Sequence, residues 1–178
     1  MLNERAVIDL LAKMNAGESA DLICGIGDDC AVIKKDDRYS WLVTMDTLVE
    51  SVHFDLRWHP PYKLGRNAVA VNVSDIAAMG GTPVFIFLSL GLPPGHTEQW
   101  LKEFSRGVAD ACAEFGCILA GGDTVGSPSG VLVTITAIGE APAEEVVFRN
   151  GAEVGDIIWV SGSLGQAAAG LELCRTGI

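Results

Sequence analysis

The amino-acid sequence predicts an α/β protein in which strands and amphipathic helices follow one another along the chain. Two segments carry this prediction most clearly. Residues 83–92 (PVFIFLSLGL) form an apolar run rich in β-branched and aromatic residues, which is typical of a buried strand. In residues 97–115, apolar side chains such as Phe104 and Val108 recur at helical spacing behind Thr97, a residue suited to cap a helix. This alternation is compatible with a parallel or a mixed sheet, and the residue pattern alone leaves both open.

The remaining elements of the first 143 residues follow from the same patterns. Apolar residues at helical spacing predict a helix over residues 2–14, which ends before Gly17. An apolar segment 22–27 then leads into Asp28-Asp29, and a strand is predicted at 30–33, followed by a charged hairpin tip at 34–38. The next strand is predicted at 40–45, directly before Asp46. An extended segment 47–54 and a loop 58–61 follow it. Beyond Gly116, two further strands are predicted over residues 117–120 and 131–138.

Residues 141–145 (APAEE) are predicted to separate two units. The first is a domain over residues 1–143, and residues 144–178 begin a second α/β domain with a strand at 156–161 and a helix at 166–175. A single strand and a single helix cannot bury their own apolar faces. This tail therefore either docks on the first domain or starts a longer second domain, and we favour the second interpretation.

Composition narrows the functional classes. The 178 residues are 49% hydrophobic and 20% charged, as in a globular protein, and the formal net charge is −11. This acidity argues against a nucleic-acid partner, and any phosphate handled by the protein would need divalent cations for charge neutralisation. The sequence shows neither an apolar run long enough to span a membrane nor a signal-peptide pattern, so we expect a cytoplasmic protein without a membrane partner. The five cysteines contain no Cys-x-x-Cys pair and are expected to be reduced.

The most informative stretch is residues 68–83 (AVAVNVSDIAAMGGTP), the end of a helix that begins near Pro61. This helix is apolar on nearly all sides and is stopped by Gly80-Gly81 and Pro83, so it is expected to be buried. Asp75 lies within it, and no cation stands three or four residues away. The sequence thus predicts a buried carboxylate that must find a distant Lys or Arg, a hydrogen-bond cage or a metal ion.

Four aspartates share one placement, because each sits where an apolar element ends or is interrupted. They are Asp29, Asp46, Asp75 and Asp123. Carboxylates collected around one cleft repel each other unless cations intervene, and their hard oxygen atoms suit Mg²⁺. The alternative for any single one is that an aspartate simply caps a turn. For the four together, the sequence favours a magnesium site.

Other signatures of catalysis or phosphate binding are absent from the sequence. There is no G-x-x-x-x-G-K-[ST] loop, and in GIGDDC the last glycine of a dinucleotide-binding fingerprint is replaced by Cys30. Ser163 lies in GSLGQ and not in a G-x-S-x-G elbow, and the three histidines are too scattered for a zinc site. His53 is the histidine of most interest, and a structural role for it remains open.

Five segments, in this order, carry a resemblance to a known family. They are GIGDDCAVI (25–33), TMDTLVESVHF (44–54), NVSDIAAMGGTP (72–83), AGGDT (120–124) and RNGAEVGDIIWVSGSLGQAAAGL (149–171). Together they resemble thiamine-monophosphate kinase, a member of the superfamily that also holds aminoimidazole ribonucleotide synthetase and selenophosphate synthetase. The resemblance covers nearly the whole chain. It implies a mixed, mainly antiparallel sheet with helices on one face, followed by the start of a second α/β domain of which most is missing here.

The resemblance also implies an activity and a set of site residues. The family transfers the γ-phosphoryl group of ATP to thiamine monophosphate, with several Mg²⁺ ions, and its first domains pair through their sheets into a homodimer. The Mg²⁺ ligands implied for this chain are Asp29, Thr44, Met45, Asp46, Asp75 and Asp123. Met45 stands where the family usually has Thr, so it could contribute only its backbone carbonyl. ATP contacts are implied for Gly122, Asp123 and Arg149, and a thiamine monophosphate contact for His53.

Other interpretations stay open at this point. The chain could belong to another ATP-using enzyme of the same superfamily with a different acceptor. It could also be an inactive or binding-only fragment that binds nucleotide or dimerises without turnover. A plain acidic structural domain would require Asp75 to be satisfied without any metal ion.

Overall fold

The structure is a computed structural model that describes residues 3–14 and 17–177. In chain order the elements are α1 (Glu4–Met14), β1 (Leu22–Cys24), β2 (Ala31–Lys34), β3 (Tyr39–Val49), α2 (Pro61–Ala78), β4 (Thr82–Leu92), α3 (Glu98–Phe115), β5 (Ile118–Gly126), β6 (Leu132–Pro142) and α4 (Gln166–Thr176). Pro61 occupies the first turn of α2, where its missing N–H costs nothing. The hydroxyl of Thr97 accepts a hydrogen bond from the Trp100 N–H at 3.1 Å, which confirms Thr97 as the cap of α3.

The six strands form one sheet in the order β1-β2-β3-β6-β4-β5. Neighbouring strands are antiparallel except for β4 and β5, which are parallel. The helix α3 connects β4 to β5, as a parallel pair requires. The fold implied by the resemblance, a mixed and mainly antiparallel sheet, is confirmed.

Helices α2 and α3 cover one face of the sheet. Buried residues of both helices, such as Val69 and Phe104, share one hydrophobic core with inward-facing strand residues such as Leu42 and Ile135. Along β6 buried and partly exposed residues alternate strictly, as expected for a sheet with one covered face. The opposite face, which we call the open face, bears no helix in the described part of the chain.

Helices α2 and α3 approach each other at two glycines. A side chain at Gly65 would collide with the backbone carbonyl of Phe104, and a side chain at Gly107 would collide with the carbonyl of Tyr62. The absence of a Cβ at both positions lets the two backbones come into direct contact. This close approach fixes where α2 lies above the sheet, and therefore where Asp75 lies.

Three expectations about the elements need correction. First, α2 is not buried on all sides, because Ser74, Ala77 and Ala78 are exposed to solvent. Second, β3 and β5 extend beyond their predicted ends, so that Asp46 and Asp123 lie within strands rather than after them. These strands continue because β6 and β4, respectively, offer a pairing partner along their whole length.

The third correction concerns residues 156–161, which form no strand. Residues 151–177 are exposed throughout, including apolar side chains such as Ile158 and Trp159. A strand forms only where another strand completes its hydrogen bonds, and this segment has no such neighbour within the described residues. The predicted helix beyond it is present as α4.

Candidate functional site

Side chains from three elements meet where the C-terminal half of β3 passes under α2. The hydroxyl of Thr44 on β3 donates a hydrogen bond of 2.8 Å to the Oδ2 atom of Asp75 on α2. Asp46, two residues further along β3, lies on the same face of that strand as Thr44. Asp29 comes from the turn that precedes β2, and its charge together with that of Asp46 acts on Asp75. We call Asp29, Thr44, Asp46 and Asp75 the acidic cluster.

Asp75 differs from the sequence expectation in two ways. Its side chain is partly exposed rather than buried, and it has a hydrogen-bond partner in Thr44. Desolvation raises the pKa of Asp75 above its usual value, and the negative charges of Asp46 and Asp29 raise it further, against the lowering effects of the Thr44 hydrogen bond and of Arg149. Burial therefore makes the charged form of Asp75 unfavourable, and the two neighbouring carboxylates add to this effect.

Asn72 positions part of the acidic cluster, although no sequence pattern marked this residue as functional. Its side chain is almost completely buried, and its Oδ1 atom accepts a hydrogen bond of 3.0 Å from the backbone N–H of Asp46. Its amide nitrogen donates to the carbonyl oxygen of Ala68 at 3.0 Å, one turn earlier on α2. Asn72 thus ties α2 to β3 beside Asp46. A polar residue on the buried side of an apolar helix was the only signal for it in the sequence.

Arg149 and two neighbouring aspartates complete this region. The Nη2 atom of Arg149 lies 2.5 Å from the Oδ1 atom of Asp29, and its backbone N–H donates to the Oδ2 atom of Asp28 at 3.1 Å. Burial would raise the pKa of Asp28, but hydrogen bonds from the backbone N–H groups of Asp29 and Arg149, and the charge of Arg149, bring it below its usual value. The family resemblance implied Arg149 as an ATP contact, but it did not point to Asp28, the first residue of the Asp28-Asp29 pair.

The structure does not bring Asp123 into the acidic cluster. Asp123 is paired in register with Ser89 on β4, and β6 stands between β4 and β3. Asp123 is therefore three strands away from Asp46, a separation of about 14 Å at ~4.8 Å per strand. Gly122 beside it contacts the backbone of Leu88 so closely that a Cβ atom would collide with the Leu88 carbonyl. Asp123 and Gly122 instead line a cleft of about 730 Å³ between β5 and α3.

Met45 has its side chain on the open face, where it is 65% exposed. Side chains alternate along a strand, so the Met45 thioether lies on the opposite side of β3 from Thr44 and Asp46. A contribution of Met45 to the acidic cluster is therefore limited to its backbone, as the sequence suggested.

His53 is exposed in the turn after β3 and lines a second cleft, of about 660 Å³, between residues 51–63 and α4. Its Nδ1 atom accepts a hydrogen bond of 3.0 Å from the backbone N–H of Val49. In the neutral ring the proton is then on Nε2, which remains free to act as a donor. The positive side chains of Arg57, Lys63 and Arg175 line the same cleft.

The donor atoms of the acidic cluster are chemically suited to Mg²⁺. They are carboxylate and hydroxyl oxygens, and the negative charges of Asp46 and Asp29 both act on Asp75. Within residues 3–14 and 17–177, no three His, Cys, Asp or Glu side chains are close enough to form a complete metal site by themselves. Mg²⁺ keeps several water ligands and uses only one or two carboxylates when it bridges phosphates, so the cluster fits a hydrated ion.

None of the helices in the described part of the chain is long and apolar enough to cross a membrane.

Comparison with known protein families identifies the fold unit that carries this site. The model of the family described as AIR synthase related protein, N-terminal domain, matches residues 27–141. The chain belongs to this family. All four residues of the acidic cluster, together with Asn72 and Asp123, lie within the matched AIR synthase related domain.

Several curated relatives share the name thiamine-monophosphate kinase. The thiamine-monophosphate kinase of Bacillus subtilis is 42% identical over 149 residues, which are 84% of this chain and 46% of that protein. A structure of AaThiL complexed with AMPPCP and TMP superposes with a TM-score of 0.88 at 37% identity, over 99% of this chain and 54% of that one. The structure of thiamine-monophosphate kinase from Stenotrophomonas maltophilia superposes with a TM-score of 0.74 at 38% identity, over 99% of this chain and 54% of that one. The chain spans about half the length of the curated relatives it matches.

Proposed function

We propose that this AIR synthase related domain binds ATP with Mg²⁺ and supplies the N-terminal part of a site that phosphorylates thiamine monophosphate to thiamine diphosphate. The observation that carries the proposal is the acidic cluster itself, in which hard oxygen ligands from three elements lie beside the guanidinium of Arg149. The likeness to AaThiL, which was solved with AMPPCP and TMP, supports the choice of nucleotide and acceptor.

The reaction proposed is an in-line phosphoryl transfer. An oxygen of the acceptor phosphate forms a bond to the γ-phosphorus of ATP, the bond from that phosphorus to the β–γ bridging oxygen breaks, and ADP leaves. The acceptor oxygen is already anionic, so the site has no need of a general base. Asp29, Asp46 and Asp75 would hold Mg²⁺, which when bound would neutralise charge on the phosphate oxygens.

Each site residue has a role in this proposal. Asp29, Asp46 and Asp75 offer carboxylate oxygens to several Mg²⁺ ions, and the Thr44 hydroxyl holds Asp75 in place. The guanidinium of Arg149 binds phosphate oxygens of ATP in exchange for its contact with Asp29. Gly122 and Asp123 contact nucleotide and metal in the cleft beside β5. His53 donates from Nε2 to thiamine monophosphate in its own cleft.

We also propose that two copies of the chain pair through the open face of the sheet. On this face Met45 and Phe87 are 65% and 40% exposed, and β5 is an edge strand whose nine residues are all exposed. An exposed edge strand beside an apolar sheet face is a ready surface for association. Light scattering after gel filtration should give the dimer mass for the wild-type chain and the monomer mass for Phe87→Glu. A wild-type monomer at high concentration would contradict this pairing.

The five cysteines are free thiols, which suits a reducing compartment, and we propose the cytoplasm.

The proposed function is tested by chromatographic detection of thiamine diphosphate after incubation of the chain with ATP, Mg²⁺ and thiamine monophosphate. We expect product from the wild-type chain, none from Asp75→Asn, and unchanged product from Asp37→Asn, which removes an exposed charge at the hairpin tip. Phosphorylation of a different acceptor would assign the chain to a related enzyme. Nucleotide binding without any product would favour the alternative in which the chain binds nucleotide but does not catalyse transfer. The structural argument for this alternative is that Asp123 lies apart from the acidic cluster.

A further inference from the structure

Asp28 has a different environment from its neighbour Asp29. The Asp28 side chain is 6% exposed and the Asp29 side chain 36% exposed. Both carboxylate oxygens of Asp28 are engaged. Oδ1 accepts the backbone N–H of Asp29 at 2.9 Å, and Oδ2 accepts the backbone N–H of Arg149 at 3.1 Å. The guanidinium of Arg149 lies near both carboxylates: its Nη2 atom is linked to Asp29, and its Nε atom lies 3.5 Å from the Oδ1 atom of Asp28.

The backbone and side-chain links to Arg149 differ in how readily they exchange. A backbone N–H has a single hydrogen to donate, and its position is fixed by the path of the chain. A guanidinium has five donors on a flexible side chain, and it can leave one carboxylate for a phosphate while the backbone stays where it is. The Arg149 side chain is 57% exposed, so solvent and ligands reach it.

The segment that carries Arg149 has little regular structure to hold it. Residues 143–151 connect β6 to the exposed C-terminal part of the chain and contain no helix or strand. The side chains of Val146 and Phe148 pack against the hydrophobic core, and two backbone hydrogen bonds attach this segment next to the site. Val147 donates its backbone N–H to the carbonyl oxygen of Met79 at the end of α2 at 3.1 Å, and Arg149 donates to Asp28.

We propose that Asp28 is a positioning residue, which tethers the backbone of Arg149 so that its guanidinium can move from Asp29 to a nucleotide phosphate without leaving the site. The inference rests on the proposed function, because it assigns Arg149 to the nucleotide. Each carboxylate oxygen of Asp28 already accepts one backbone hydrogen bond. Asp28 thus holds the backbone of Arg149, while the Nη2 atom of the guanidinium leaves Asp29 for the phosphate.

Hydrogen exchange at the Arg149 amide, measured on the ligand-free chain, tests the tether directly. In Asp28→Ala the amide should exchange at least about tenfold faster, because its acceptor is gone, and in Asp28→Asn the remaining carbonyl oxygen should preserve most of the protection. Asp36→Ala is the matched control. Asp36 also accepts two backbone N–H groups, those of Arg38 and Tyr39, but at the β2–β3 hairpin tip. Unchanged exchange at Arg149 in Asp28→Ala would overturn the proposal.

Nucleotide binding tests whether the tether serves the site. By isothermal titration with AMPPCP and Mg²⁺, Asp28→Ala should bind about tenfold more weakly than wild type. In an Arg149→Ala background, which keeps the backbone N–H but lacks the guanidinium, the same substitution should have no further effect. An equal loss of affinity in both backgrounds would show a merely structural role and overturn the proposal. If the wild-type chain binds no nucleotide, the proposed function fails, and the tether is then decided by the exchange measurement alone.

Discussion

At the scale of single residues, the site is built from polar groups whose partners lie far away in sequence. Thr44 reaches Asp75 on α2, Asn72 reaches Asp46 on β3, and Asp28 reaches Arg149 beyond the end of β6. Each of these contacts joins two elements with one or two hydrogen bonds. In the acidic cluster, desolvation and the charges of Asp46 and Asp29 raise the pKa of Asp75 despite its hydrogen bond from Thr44.

Asp75→Asn is predicted to stabilise the chain in the absence of Mg²⁺. The folded state disfavours ionisation of Asp75, so the carboxylate lowers stability at neutral pH, and asparagine can still accept the Thr44 hydrogen bond. We expect the Tm at pH 7 to rise by about 1 to 3 °C in a thermal melt. The gain should shrink as the pH falls through the raised pKa of Asp75, and it should vanish below about pH 3.9, the value for an unperturbed aspartate.

Addition of Mg²⁺ should reverse this order, because the ion stabilises only the chain with an intact carboxylate. If Asp75→Asn is less stable than wild type without Mg²⁺, the Asp75 carboxylate stabilises the fold, and the predicted destabilising effect of its charge is contradicted.

Asn72→Ala is predicted to lower the free energy of unfolding by about 2 kcal/mol, because it leaves the Asp46 N–H without its partner and removes a buried side chain from between α2 and β3. Ser74→Ala, on the exposed side of the same helix, is the control and should change stability by less than about 0.5 kcal/mol. Urea denaturation of both variants provides the measurement. Equal, small effects would mean that Asn72 does not hold α2 to β3.

At the scale of elements, the position of α2 is decided by its contact with α3. The two glycines at this contact let the helix backbones touch, and the buried side chains of α2 then face the sheet. The acidic cluster depends on that placement, because Asp75 lies on α2 and Asp46 on β3. A shift of α2 along α3 would separate them.

Gly107→Ala is therefore predicted to destabilise the chain by about 1 to 3 kcal/mol, since the added methyl group collides with the carbonyl of Tyr62. Gly170→Ala is the matched control, as Gly170 lies in the middle of α4 with open space around it, and alanine there should favour the helix slightly. Denaturation curves monitored by circular dichroism distinguish the two. If Gly107→Ala is tolerated as well as Gly170→Ala, the helices are free to separate.

Local patterns in the sequence were sufficient for most elements but not for their arrangement. The helical periodicity that follows Thr97 predicted α3, and the apolar run 83–92 predicted β4, both close to their observed bounds. Each of these signals lies within a single element. The continuation of β5 through Gly122-Asp123 was missed, since it depends on pairing with β4. For the same reason residues 156–161, which have a strand-like pattern but no neighbouring strand, were predicted wrongly.

Prediction of the site was limited in the same way. Apolar context singled out Asp29, Asp46 and Asp75, which the structure brings together, but it also grouped Asp123 with them. The distance between Asp123 and the others follows from the strand order β3-β6-β4-β5, which no local pattern encodes. Asp28 and Asn72 were not singled out as functional, because a tether through a backbone N–H depends on the path of a distant segment.

At the scale of the whole molecule, the proposed function requires cations at the site, because an acidic protein would have to bind two anionic substrates. The net charge is −11, and Arg149, which lies beside the acidic cluster, is already held by Asp28 and Asp29. We propose that Mg²⁺ supplies the missing positive charge at the acidic cluster. The central claim is accordingly that nucleotide binding by this chain is bridged by metal.

The most direct measurement is isothermal titration of AMPPCP into the chain with and without Mg²⁺, on wild type, Asp75→Asn and the charge-matched control Asp37→Asn. We predict binding to wild type and to Asp37→Asn that requires Mg²⁺, and loss of at least about tenfold in affinity for Asp75→Asn. Binding that is independent of Mg²⁺, or that survives in Asp75→Asn, would contradict a metal-bridged nucleotide site at the acidic cluster.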